Sequence, residues 1–329
     1  MKPLLEVIDL HKHFPIRKAG KGLSFGSSGK LHAVDGVNFR LVRGEALGLV
    51  GESGCGKSTL SQLMVRLLDP TAGAIIFDGR DIGAISAEAF AHSPDRTRIQ
   101  MVFQDATDSL NPRHTAFDSI ADPLIHLKGL RGAELAAKVR RAAELVKLPE
   151  PLLTRFPHQL SGGQKTRVGI ARAIAVEPEL IILDEPTSAL DVSIQAVILK
   201  LLEELRRKLD LSYLFVSHDL NVVRMLCERV LVMYLGKVVE TGPTAEVFHQ
   251  PRHPYTAALV DAIPSIRNRG QQTVRLGGEP MSPIDPDPQQ CRFYSRCPKR
   301  QDICRSSMPT LEMPESAPRA AACHFPNGG

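Results

Sequence analysis

The run Ala46-Leu47-Gly48-Leu49-Val50-Gly51-Glu52-Ser53-Gly54-Cys55-Gly56-Lys57-Ser58-Thr59 decides how this chain reads. Its first five residues are apolar or glycine without a break, which suits a strand buried on both faces of a parallel sheet. The rest fits the pattern G-x-x-x-x-G-K-[ST] in the context that gives the pattern meaning, after such a strand and before a helical stretch read as Lys57 to Leu68. Glycines let main-chain N–H groups come close enough to point at phosphate oxygens. A helix N-terminus adds its dipole, and Lys57 is placed to neutralise the β- and γ-phosphates. Gly51, Glu52, Ser53, Gly54, Cys55, Gly56, Lys57, Ser58 and Thr59 are thus the expected cradle for ATP, with the Ser58 hydroxyl on Mg²⁺.

Two further apolar runs point acids and a histidine at the same place. Leu180 to Leu183 ends in Asp184-Glu185, where Asp184 is placed to hold Mg²⁺ and Glu185 to polarise an attacking water as general base. Tyr213 to Val216 leads into Ser217-His218-Asp219, so His218 is placed to hydrogen-bond the γ-phosphate and the water. Strand-like runs at Arg98 to Phe103, Ser212 to Val216 and Val230 to Met233 alternate with helical patterns, which predicts an α/β fold with a mainly parallel sheet.

Leu4 to Phe14 and Leu31 to Val42 also read as strands, giving an antiparallel β subdomain. Arg17 to Lys30 between them is rich in Gly, Ser and basic residues. It reads as a solvated hairpin loop, with a basic finger touching headgroups or a partner as the sharper alternative. Helical periodicity over Gly132 to Lys147 with no strand beside it marks an inserted helical subdomain, about residues 115–175. Regular periodicity fades beyond Ile266, so the expected division is an ATPase domain over 1–265 and a C-terminal extension over 266–329.

Composition is that of a globular protein: 329 residues, 43% hydrophobic and 23% charged. There is no apolar run of the roughly 18 residues a spanning helix needs, and no signal-peptide-like start, so the chain is expected to stay in the cytoplasm. The net charge of +5 suits phosphate ligands, anionic lipid or nucleic acid alike. Of the six cysteines, Cys291, Cys297, Cys304 and Cys323 crowd into the last forty residues, which argues for metal before disulfides. Their gaps of five, six and eighteen residues are too wide for the paired spacing of common zinc ribbons. Zinc with His324, an iron–sulfur cluster and unligated thiols all stay open. Cys227 reads as a small buried hydrophobe. Cys55 is expected to be exposed without nucleotide and open to thiol reagents.

Leu160-Ser161-Gly162-Gly163-Gln164 resembles the signature motif of ABC ATPases. Gln104 in Val102-Phe103-Gln104-Asp105 resembles that family's Q-loop, Ser188-Ala189-Leu190-Asp191 its D-loop, and His218 its switch histidine. The motifs stand in order over residues 4 to 245. A Ser and two glycines opening a helix over Gln164 to Ala175 make an anion-binding N-terminus. The resemblance implies that Ser161, Gly162, Gly163 and Gln164 meet the nucleotide of another subunit, with two ATP sandwiched between two chains. It also implies Gln104 at the Mg²⁺ and Phe14 against adenine, a core Phe in a strand being the other reading. One departure is Lys165-Thr166-Arg167, where many members have Arg-Gln-Arg. Lys57, Gln104, Glu185 and His218 are all intact, so hydrolysis is expected.

Ser109-Leu110-Asn111-Pro112-Arg113, His253-Pro254-Tyr255-Thr256-Ala257-Ala258-Leu259 and the tail's Cys291-Arg292-Phe293 and Arg296-Cys297-Pro298 resemble the oligopeptide/dipeptide importer branch. That branch implies a second, different ABC ATPase subunit, two transmembrane permease subunits and an extracytoplasmic solute-binding protein. It implies a peripheral place on the cytoplasmic face of the inner membrane, no nucleic acid partner, and a four-iron, four-sulfur cluster on the four cysteines. Nickel chelates, opines and glutathione-like solutes remain alternatives to peptides. A soluble ABC ATPase acting on DNA or ribosomes usually carries two ATPase halves or long coiled coils, and this chain has neither. A scaffold that binds ATP without turnover is opposed by Glu185 and His218.

Overall fold

The computed structural model describes residues 2–16, 29–104, 109–263, 278–311 and 319–327. Most of the basic loop after β1, Asp105, and the expected boundary between 265 and 266 lie outside the described residues. Two sheets organise the chain. In the antiparallel one, β1 (Pro3–Ile16) lies between β2 (Gly29–Val42) and β4 (Ala72–Phe77), with β5 (Arg80–Asp81) at the edge.

The larger sheet has the order β11-β10-β9-β3-β8-β7-β6. Its strands are β3 (Ala46–Val50), β6 (Ile99–Val102), β7 (Leu180–Asp184), β8 (Ser212–Ser217), β9 (Arg229–Tyr234), β10 (Lys237–Pro243) and β11 (Ala320–Ala321). Strands β9, β3, β8, β7 and β6 run parallel; β10 and β11 are antiparallel additions. Every residue of β3, β7 and β8 is buried, because both faces of this sheet are covered. Alternation sends Val50, Leu183 and Phe215 into one core under the helices, and Leu49, Ile182 and Leu214 into a second core against the antiparallel sheet. In register, Val50 lies opposite Ser217, and Asp184 opposite Val216. The carboxyl ends of β3, β7 and β8 therefore meet at one edge, where an open α/β sheet binds its ligands.

The helix after the glycine-rich turn, α1 (Lys57–Met64), is shorter than the expected Lys57 to Leu68. Arg66 adopts φ +57°, and its side chain, fully shielded, donates to Leu68 O (2.8 Å), Asp69 Oδ1 (2.7 Å) and Ile85 O. Those hydrogen bonds hold Arg66 in a conformation that a right-handed helix cannot continue through. Short helices α2 (Ala87–Ala91) and α3 (Asp95–Arg98) lead into β6.

The expected helical region is present as α4 (Ala116–Lys128), α5 (Gly132–Leu145) and α6 (Gly162–Ile174). Thr115 and Asp118 close a capping box on α4, satisfying N–H groups left free by the first turn. After β7 come α7 (Val192–Leu209) and α8 (Leu220–Leu226), then α9 (Thr244–His249) and α10 (Pro254–Asp261) beyond β10, and α11 (Ile303–Ser306) in the tail. Among the described residues no helix is long and apolar enough to cross a membrane.

The described part of the expected C-terminal extension packs onto the rest of the chain. Phe293 is 1% exposed and packs against the rings of Tyr234, Tyr255 and His253. Ala320 and Ala321 extend the main sheet opposite Thr241 and Glu240, and Arg319 pairs with the buried Glu240 at 2.9 Å. Few apolar residues suffice there because Phe293, Cys291 and Cys297 pack into the core beneath the helices instead of building one of their own.

Candidate functional site

The loop between β3 and α1 wraps as the motif requires. At Gly56, φ is +108°, and a Cβ would fall 2.1 Å from Ala33 O; at Gly51 it would fall 2.2 Å from Met233 O. Only glycine fits either place. Lys57 is buried, and its Nζ donates to Gly51 O (2.8 Å) and Glu52 O (3.0 Å), so the ammonium is held inside the loop.

Opposite the loop, three elements converge on one carboxylate. Glu185 follows β7 at φ +46°, an uncommon conformation for a residue with a side chain. Its Oε2 accepts from Gln104 Nε2 at 3.3 Å and lies 2.9 Å from His218 Nδ1. Asp184 is 5% exposed and its Oδ1 has no hydrogen-bond partner. Burial and the neighbouring Glu185 push its carboxyl up to about 6, against the Ser58 hydrogen bond and Lys57. A shielded carboxylate with a vacant oxygen beside a serine hydroxyl has the chemistry of a Mg²⁺ ligand.

One cleft of about 490 Å³ takes in Phe14, Ser53, Gly54, Cys55, Gly56, Lys57, Ser58, Thr59, Gln104, Glu185 and His218. Phe14 is half-buried on this cleft and outside both hydrophobic cores, so the reading of it as a core residue fails. Glu52 departs from the expected cradle: its carboxylate is bound by Arg296 at 2.7 and 2.9 Å, and its N–H donates to Tyr255 Oη at 2.8 Å. Cys55 is only 4% exposed, and burial raises its thiol. The expected open, reactive cysteine is corrected accordingly. Cys227 is buried as expected.

Ser161, Gly162, Gly163 and Gln164 do not line this cleft. Ser161 caps α6 through Gln164, accepting from its N–H at 3.3 Å while Gln164 Oε1 accepts from Ser161 N–H at 2.9 Å. Ser161 and Gly162 are exposed, so this helix start is open to solvent and apart from the chain's own cleft.

Cys291, Cys297, Cys304 and Cys323 line a single small cavity with Phe293 and His324. All are free thiols, and burial pushes Cys291 up to about 11. Among the described residues no three of these sulfurs come within 4.8 Å of one another, whereas one zinc about 2.3 Å from each would hold them roughly 3.8 Å apart. His11, His13 and Asp35 also bring ligand atoms within 4.8 Å, but Lys237 (3.3 Å) and Arg292 (2.6 Å) already pair with Asp35. Burial alone would raise that carboxyl; the two cations hold it well below the usual carboxylate range.

Sequence reasoning missed His32 and Pro283, which line the cleft, and Tyr255 and Arg296, which hold the loop from behind. Tyr255 and Arg296 lie in segments quoted only for their resemblance, and nothing in their spacing points at a loop some 200 residues earlier.

Residues 34–188 match the ABC transporter family, and residues 239–304 the oligopeptide/dipeptide transporter C-terminal region. An oligopeptide transport ATP-binding protein of Bacillus subtilis is 48% identical over 98% of this chain and 97% of its own length. A dipeptide transport ATP-binding protein of Haemophilus influenzae is 42% identical over 98% and 97%. Among solved structures, a dimeric ATP-binding cassette in a post-hydrolysis state with ADP and phosphate is similar at a TM-score of 0.63 and 30% identity. It covers 73% of this chain and 98% of that one. With the phosphate loop, the paired acids and the switch histidine on one cleft, and with such relatives along nearly its whole length, the chain belongs to the ABC transporter family, as an ATPase carrying the oligopeptide/dipeptide C-terminal region.

Proposed function

We propose that this chain hydrolyses ATP to power a peptide-class importer on the cytoplasmic face of the inner membrane. It pairs there with a second, similar ABC ATPase subunit beneath two permease subunits fed by an extracytoplasmic solute-binding protein. The observation that carries the ATPase chemistry is the convergence of Gln104 and His218 on Glu185 across the cleft from Lys57. Support for the peptide class is the match to the oligopeptide/dipeptide region and to relatives named for those solutes.

In this reading the loop N–H groups and Lys57 take the β- and γ-phosphates, and Phe14 stacks on adenine. Ser58, Asp184 and Gln104 hold Mg²⁺, which when bound neutralises charge on the phosphate oxygens. Glu185 takes the proton of the attacking water, and His218 fixes both the Glu185 carboxylate and the γ-phosphate. The outward start of α6, with Ser161, Gly162, Gly163 and Gln164, serves the nucleotide of the partner subunit. Closure of the pair then pulls on the permeases through Gln104 and the helical insert, and hydrolysis releases it.

We assign residues 1–265 to the motor and 266–329 to an extension whose Cys291, Cys297, Cys304 and Cys323 hold a four-iron, four-sulfur cluster. What supports the cluster is that the four sulfurs line one common cavity, and four thiolates are the donor set such a cluster takes. Bound there, the cluster supplies a structural staple.

One preparation tests both parts: anaerobic purification with the permeases, iron and sulfide analysis, then ATP-driven peptide uptake in proteoliposomes. About four iron per chain and uptake are expected. A metal-free or zinc protein removes the cluster, and turnover without peptide uptake removes the solute class.

A further inference from the structure

Glu52 is an acid in the phosphate loop itself, one residue after Gly51, where a free carboxylate would repel a nucleotide triphosphate. Its main-chain carbonyl is also one of the two that hold the Lys57 ammonium. Glu52 therefore has to be neutralised and fixed, and nothing within the loop does so.

The partner comes from the C-terminal extension. Arg296 donates from Nη1 and Nη2 to the two Glu52 oxygens at 2.7 and 2.9 Å, a two-pronged pair that fixes direction as well as charge. The Arg296 side chain is 8% exposed and Glu52 34%. Arg296 in turn is placed by Phe293, three residues before it in the aromatic core, and by the ring and hydroxyl of Tyr234, the latter at 3.5 Å. From the other side Tyr255 Oη accepts the Glu52 N–H. The back of the phosphate loop is thus built from residues 234, 255 and 296, far from it in sequence.

We propose that Arg296 is a positioning residue of the nucleotide site. By turning the Glu52 carboxylate out of the loop and cancelling its charge, it lets the triphosphate approach and keeps the Lys57 carbonyl cage in place. The C-terminal extension is then a working part of the ATP site. The inference rests on the nucleotide reading above.

The test is displacement of a fluorescent ATP analogue from the full chain by ATP and by ADP, with steady-state turnover and thermal unfolding measured alongside. Arg296→Ala is expected to weaken ATP about tenfold and ADP less, as repulsion by an unpaired acid demands, with kcat at saturating ATP changed less than about twofold. Adding Glu52→Gln to Arg296→Ala should recover most of the lost affinity, and Arg296→Lys should bind ATP more tightly than Arg296→Ala. A contact that merely props up the fold does not give these rescues. The proposal is overturned if Arg296→Ala binds ATP like wild type, or if the double variant stays as weak as the single one. Should Arg296→Ala fail to fold, Arg296→Gln, which keeps a polar side chain and loses the charge, is read in its place with the same outcomes, alone and with Glu52→Gln. Wild-type chain that binds no ATP would instead remove the nucleotide reading itself.

Discussion

The ATP cleft and the four-cysteine segment sit back to back in this molecule and are built on opposite principles. The cleft takes its parts from strand ends: the loop after β3, Asp184 and Glu185 at and just past the end of β7, and His218 just past β8. Parallel register brings them together, and each part has a local pattern. The cysteine segment has little regular structure and takes its shape from what it touches: Phe293 in the Tyr234–Tyr255 cluster, Arg292 on Asp35, Arg296 on Glu52, Arg319 on Glu240. A site set by the sheet can be read piece by piece along the chain. A site set by tertiary contacts cannot.

The comparison is sharpened most by Phe293→Ala. If the segment belongs to the ATPase core, emptying a ring pocket that is 1% exposed should cost about 3–5 kcal/mol, read as a lower midpoint in urea unfolding of the whole chain. A separate appendage would leave the main transition where it was and lose only a minor one.

A smaller effect belongs to the cleft. Asp184 has its carboxyl raised to about 6 by burial and by Glu185. It is therefore protonated, and lost as a cation ligand, as pH falls through 6. Mg²⁺-dependent nucleotide binding should weaken by up to about tenfold per pH unit below that point and level off above it. Asp184→Asn should flatten the profile. A wild-type profile already flat from pH 5 to 8 would break the assignment.

The same contrast explains what was legible. Ala46 to Thr59 shows a strand, a turn and a helix start because each needs particular residue types, and Leu180 to Glu185 does the same for a strand ending in acids. The helix α1 ends a turn earlier than its pattern suggests because Arg66 hydrogen-bonds to Leu68 O, Asp69 Oδ1 and Ile85 O, partners that no periodicity displays. Cys55 was expected in the open because the motif describes the backbone, while its thiol packs under Gly51. Arg296 was quoted for its neighbour Cys297 and missed for itself, since its partner is Glu52, 244 positions away.

The most direct measurement is ATP turnover and ATP binding by Glu185→Gln beside wild type, with assembly followed by size-exclusion chromatography in ATP. Glu185→Gln keeps the shape of the cleft but cannot take the proton. The account predicts nucleotide bound about as tightly, a closed pair that persists, and turnover lower by roughly 10²–10⁴-fold. Turnover at the wild-type rate would contradict it.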